Sequence, residues 1–129
     1  MKSPLFSLLL RIVVAVILVQ TLYFKFTGAP ESIYIFETLG MEPYGRIGSG
    51  MVELLASILI LIPRTTLLGS LLGLGVMIGA VVSHLFVLGI EVQNDGGTLF
   101  MLALITFLCC SILVYQNRNK IPDLLKLKI

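Results

Sequence analysis

The feature that most constrains this chain is a single acid inside an apolar run of membrane length. Residues 44–62 are long and apolar enough to cross a bilayer, and Glu53 stands in their middle. A carboxylate at the bilayer centre costs about 2.5–3.5 kcal/mol on insertion scales, so it must face a bundle interior and find a partner there. Composition points the same way. Of 129 residues, 57% are hydrophobic and 12% charged, against about 25% charged in a typical soluble domain. So few polar side chains cannot cover a soluble globule, and the chain reads as an integral membrane protein of one domain, 1–129. A net charge of +2 without a basic, aromatic-interleaved patch excludes a nucleic-acid binder.

Four apolar stretches follow: 5–24, 44–62, 66–90 and 97–115, with a basic tail over 116–129. The fold class is therefore all-α, a polytopic four-helix transmembrane bundle. The first stretch contains Arg11 and lacks a small-x-small cleavage site before Lys25, so it is expected to be a retained helix rather than a signal peptide. Between the first two spans, residues 30–40 predict a short amphipathic helix, opened by Pro30 and Glu31 and closed by Gly40, with Ile33, Phe36 and Leu39 on its apolar face. Asp95 is expected to cap the fourth helix, and residues 123–127 to form a surface helix. Lys2, Arg64, Arg118, Lys120, Lys126 and Lys128 fall at one end of this arrangement, and Glu31, Glu37, Glu42, Glu91 and Asp95 at the other, with Lys25 and Arg46 at the helix ends there. The positive-inside rule then puts both termini in the cytoplasm. The third span carries Gly69-x-x-x-Gly73 and Gly75-x-x-x-Gly79-x-x-x-Ser83, spacings that let helices approach closely in lipid.

Arg11 is the expected partner of Glu53. At 1.5 Å per residue, Arg11 lies about 10 Å and Glu53 about 15 Å from the same membrane face, a gap that an arginine spans, and a bidentate pair would satisfy both. The pair reads either as a permanent staple between helices one and two, or as a proton- or ligand-linked site. Arg46, Ser49, Gly50, Ala56 and Ser57 share the Glu53 face, which marks a small polar cavity there. Arg46 would compete with Arg11 or line an outer vestibule. Lys25, two heptads beyond Arg11, is expected to snorkel to the interface. His84, the single histidine, reads first as a packing residue and second as a functional one. Thr98, Thr106 and Cys109 form an inward stripe on the fourth helix, and Gln20 faces away from Arg11 toward another neighbour or a second subunit. No spacing suits a metal or haem, and no nucleophile–base pair or phosphate loop supports a stand-alone enzyme. Cys109 and Cys110, about 100° apart on a helix, are not expected to form a disulfide with each other.

Several motifs together resemble the DoxX and DoxX-like family of small four-helix membrane proteins. They are Leu10-Arg-Ile12, Tyr23-Phe-Lys-Phe-Thr-Gly28, Phe36-x-x-Leu-Gly40, the Gly50-Met-Val-Glu run that ends at Pro63-Arg64, and Gly79-Ala-x-x-Ser-His84. The resemblance implies a four-helix membrane bundle, a bacterial plasma membrane location, and Arg11, Lys25, Glu53 and His84 as the family-typical polar residues. It also implies accessory roles beside quinone-linked or oxidative-stress membrane complexes. Three functions follow as expectations. The first is a ligand-binding or assembly module that holds a quinone, another lipid-like molecule, or a partner's transmembrane helix. The second is a proton-handling subunit of a quinone-linked oxidoreductase, and the third is a small proton-coupled transporter. The expected partners are the bilayer and another membrane protein or a second copy of the chain.

Overall fold

A computed structural model describes residues 4–91 and 96–122. Five α-helices form: α1 (Pro4–Thr27), α2 (Pro30–Thr38), α3 (Tyr44–Leu61), α4 (Thr66–Ser83) and α5 (Thr98–Gln116). α1, α3, α4 with its flanking turns, and α5 are each long and apolar enough to span a membrane. The fold is all-α and polytopic, and no strand occurs among the described residues. Asp95 and residues 123–127 lie outside the described residues, as do Lys2, Lys126 and Lys128.

The four long helices close a ring. α1 packs against α3 and α5, and α4 packs against the same two. One stripe per helix faces the middle: Leu10, Val14, Leu18 and Leu22 on α1, Glu53, Ala56 and Ile60 on α3, Ser70, Gly73 and Met77 on α4, and Ala103, Thr106, Cys110 and Leu113 on α5. The opposite faces are exposed and apolar, among them Val16, Met51, Ile78 and Leu108, as lipid demands. The inward residues of α5 thus include Cys110 rather than Cys109, while Thr98 is exposed. Both cysteines are free.

At the end that holds Pro4 and Gln116, the terminal end, α3 and α4 nearly touch. A Cβ on Gly69 would lie 2.6 Å from the Ile60 amide nitrogen, and one on Gly73 3.1 Å from Cys110 Sγ. The second glycine pair behaves differently from its spacing. Both Gly75 and Gly79 are exposed, and nothing lies within 4 Å of a Cβ built on either, so no helix packs on that face of α4.

The last carbonyls of α3 have no partners within the helix. Thr65 Oγ1 donates to Leu59 O at 2.8 Å, and Thr66 Oγ1 to Ile60 O at 3.0 Å. Arg11 completes this cap: its Nε donates to Ile60 O at 2.8 Å and its Nη2 to Leu61 O at 2.6 Å. A cation at a helix C-terminus also meets the negative end of the helix dipole.

At the opposite end, the α2 end, Gly28 (φ +70°) stops α1 in the left-handed conformation, and Ala29 N bonds back to Phe24 O. The chain then folds α2 over the ring opening, with Phe36 and Ser32 buried and Ile33 and Leu39 half-buried. The third span, predicted over 66–90, runs Pro63–Leu88, but its α-helical winding ends at Ser83. It passes into a π-helical turn, His84–Leu88, which Gly89 (φ +83°) terminates.

Candidate functional site

The partner of Glu53 is Lys25, not Arg11. Lys25 Nζ lies 2.7 Å from Glu53 Oε2 and 3.0 Å from Oε1. Its third donor reaches Ser49 Oγ at 3.2 Å, and Ser49 in turn donates to Arg46 O at 3.3 Å. Glu53 is 2% exposed and the Lys25 side chain 15%, so the pair is internal and the lysine does not snorkel out. The Phe36 ring of α2 covers the ammonium from above, 5.5 Å from its centroid.

The register of α1 against α3 explains the exchange of partners. The Phe26 ring lies 2.8 Å from the Cβ position of Gly50, so the penultimate position of α1 meets the seventh residue of α3. α1 is displaced toward the terminal end by about 9 Å relative to level helix ends. This shift carries Lys25 down to Glu53. It carries Arg11 to the end of α3, seven residues or about 10 Å below Glu53 at Ile60.

Arg46 neither approaches the carboxylate nor lines the cavity. Its Nε donates to Glu42 Oε1 at 2.9 Å and Oε2 at 3.0 Å, while Nη1 donates to the Lys25 carbonyl. It therefore clamps the C-terminal turn of α1, the turn that presents Lys25. Ser57 is buried too, but its hydroxyl donates to the Glu53 carbonyl at 2.8 Å and stays within α3. Of the residues predicted for the site, Lys25, Ser49, Glu53 and His84 are brought to one cavity, and Arg11, Arg46 and Ser57 support the helices around it.

The cavity measures about 730 Å³ and occupies the α2-end half of the bundle. α1 contributes Leu18, Thr21 and Lys25, and α2 roofs it with Ser32 and Phe36. α4 supplies Met77 and Ala80, with the exposed Gly75 and Gly79 at the margin, and α5 supplies Ala103 and Thr106. The walls are mostly apolar. Thr106 is 0% exposed, and its hydroxyl has no partner among the described residues. Sequence reasoning placed Thr106 inward but gave it no role. Its signal is a contrast with other helical hydroxyls: Ser57, Ser83 and Ser111 each bond the carbonyl four residues back.

His84 lines the same cavity from the π-helical turn. It is 5% exposed, its Nδ1 lies 3.0 Å from Gly89 O, and its ring meets Phe100 edge-on at 5.5 Å. Single π-turns inside helices often mark functional positions. Among the described residues, no three His, Cys, Asp or Glu side chains are grouped to hold a metal ion.

The sequence profile of the DoxX-like family matches residues 9–111. The chain belongs to the DoxX-like family. That match spans Arg11, Lys25, Glu53, His84 and every helix that lines the cavity. With four spans and this family, the protein is an integral membrane protein. No curated protein and no solved structure matches it.

Proposed function

We propose that this DoxX-like protein is a membrane-embedded binding module for a lipid-like ligand, the class to which quinones belong. The cavity carries the reading. Its volume falls within the roughly 300–1,000 Å³ usual for small-molecule sites, and such sites combine apolar walls with a few convergent polar groups. Here those groups are Lys25, Glu53, Ser49 and His84. The ion pair also ties α1 to α3 beside the cavity and holds it open without exposing an unpaired charge.

The charge distribution supports an orientation with both termini on the cytoplasmic side of a bacterial plasma membrane. Arg64, Arg118 and Lys120 belong to the terminal end, and Glu31, Glu37, Glu42 and Glu91 to the α2 end. Maleimide labelling of cysteines placed at residues 64 and 37, in a Cys109→Ala, Cys110→Ala background, tests this in intact cells. Preferential external labelling of residue 64 reverses the orientation.

Binding is tested with the protein in lipid nanodiscs and a fluorescent amphiphile, 6-decyl-2-naphthol. Wild type gives saturable binding above protein-free nanodiscs. Ala80→Leu enlarges a half-buried residue of the cavity wall and abolishes binding while the protein still melts cooperatively. A wild type without saturable binding, or an Ala80→Leu variant that binds unchanged, defeats the reading.

A further inference from the structure

The polar groups of the cavity are not equivalent, and their differences select a ligand chemistry. An ammonium has three N–H donors. Those of Lys25 go to both Glu53 oxygens and to Ser49 Oγ, and the two charges cancel. A charged ligand would have to break this pair and leave one buried charge unmatched. The remaining charge along the lining is Glu31, which is exposed at the α2 end.

His84 offers what the ion pair does not. Its Nδ1 faces the Gly89 carbonyl oxygen, which can only accept, so Nδ1 carries the proton. In the neutral ring, Nε2 is then left as an acceptor. Nε2 has no partner among the described residues, and the ring lines the cavity, held by Gly89 on one side and Phe100 on another. A fixed acceptor in an apolar pocket rejects a second acceptor and favours a donor.

We propose that the ligand is an uncharged amphiphile that brings a hydroxyl to this site and donates its O–H to His84 Nε2. This rests on the cavity-binding reading above. A ketone, ester or ether oxygen at the same place cannot donate and would set lone pair against lone pair.

The test compares two probes that differ in one group, 6-decyl-2-naphthol and its methyl ether, with each affinity corrected for partition into protein-free nanodiscs. Wild type should prefer the naphthol by about tenfold, the size of one hydrogen bond. His84→Phe should bring the ratio close to one, and His84→Gln, which keeps an acceptor, should retain part of it. Equal wild-type affinities for both probes, each abolished by Ala80→Leu, overturn the hydroxyl proposal and leave the cavity reading standing. A preference that survives in His84→Phe also overturns it. Saturable binding of neither probe removes both. If the His84 variants fail to fold, the wild-type ratio alone decides.

Discussion

The two halves of the bundle solve opposite problems with the same glycine spacing. In the terminal half, Gly69 and Gly73 bring α4 against α3 and α5, and Val14, Ile60, Leu67 and Cys110 are fully buried around that contact. In the α2-end half, Gly75 and Gly79 are exposed, each about 200° around α4 from the inward Met77, and no helix packs on them. A small residue in a membrane helix thus permits two outcomes, close packing or a bare outer surface. The choice is made by what stands opposite. Ile60 and Cys110 stand against the first pair, whereas the second pair has turned away from the bundle and has nothing opposite it, while the cavity of this half lies on the inner side of α4.

The sharpest way to break this comparison is to remove the pair that props the α2-end half. Lys25→Met leaves Glu53 buried and unmatched and should cost about 3–5 kcal/mol. Adding Glu53→Leu should recover much of that loss, because a hydrophobic replacement of both partners is often neutral. The measurement is a double-mutant cycle on unfolding in mixed detergent. A coupling near zero between Lys25 and Glu53 contradicts the ion pair as the prop.

Gly69→Leu follows in size. Its Cβ would meet backbone atoms of α3 at 2.6 Å and 2.9 Å, which cannot rotate aside, so the two helices must separate. Overpacking of this kind costs about 3 kcal/mol. Gly79→Leu, on the same helix, should cost less than about 0.5 kcal/mol, since Leu is the better helix former and meets no obstacle. Similar losses for the two variants would erase the distinction between the halves.

How much of this could be read from the sequence depends on what each inference required. The spans needed only local hydropathy, and all four are recovered to within three residues at each end: α1 starts at Pro4 against a predicted 5, the third span runs Pro63–Leu88 against 66–90, and α5 ends at Gln116 against 115. The change from α- to π-helical winding at His84 leaves no trace in hydropathy, because Leu85, Phe86 and Val87 remain apolar. Burial of Glu53 was legible from its cost, but its partner was not. Choosing Arg11 over Lys25 required the axial register of α1 against α3. That register is set by the Phe26 ring on Gly50, a contact between distant residues that no spacing along one helix reveals. The cavity was legible as a small-residue face on α3, yet α3 gives it only Ser49 and Glu53, and most of its lining comes from the other helices.

Arg11→Met gives a smaller and more local effect than Lys25→Met. It removes two hydrogen bonds to carbonyls at the end of α3, while Thr65 and Thr66 keep part of the cap. A loss of about 1–2 kcal/mol is expected, additive with Glu53→Leu, because the two positions share no partner. Strong coupling between Arg11 and Glu53 would restore the pairing that the register argues against.

The smallest effect probes the boundary between the halves, at Thr106. Its hydroxyl is buried beside the cavity with no partner among the described residues, so Thr106→Val removes a desolvated polar group at nearly constant shape. Without ligand, the variant should be as stable as wild type or more stable, by up to about 1 kcal/mol. The sign separates two roles. A gain means that the hydroxyl weakens the fold in the absence of ligand and that packing alone does not explain its presence. A comparable loss means that it already bonds something within the folded protein, and Thr106 then belongs with the packed terminal half. Unfolding midpoints of Thr106→Val and Thr106→Ser, measured together, read that sign, because serine keeps the hydroxyl while giving up the methyl group.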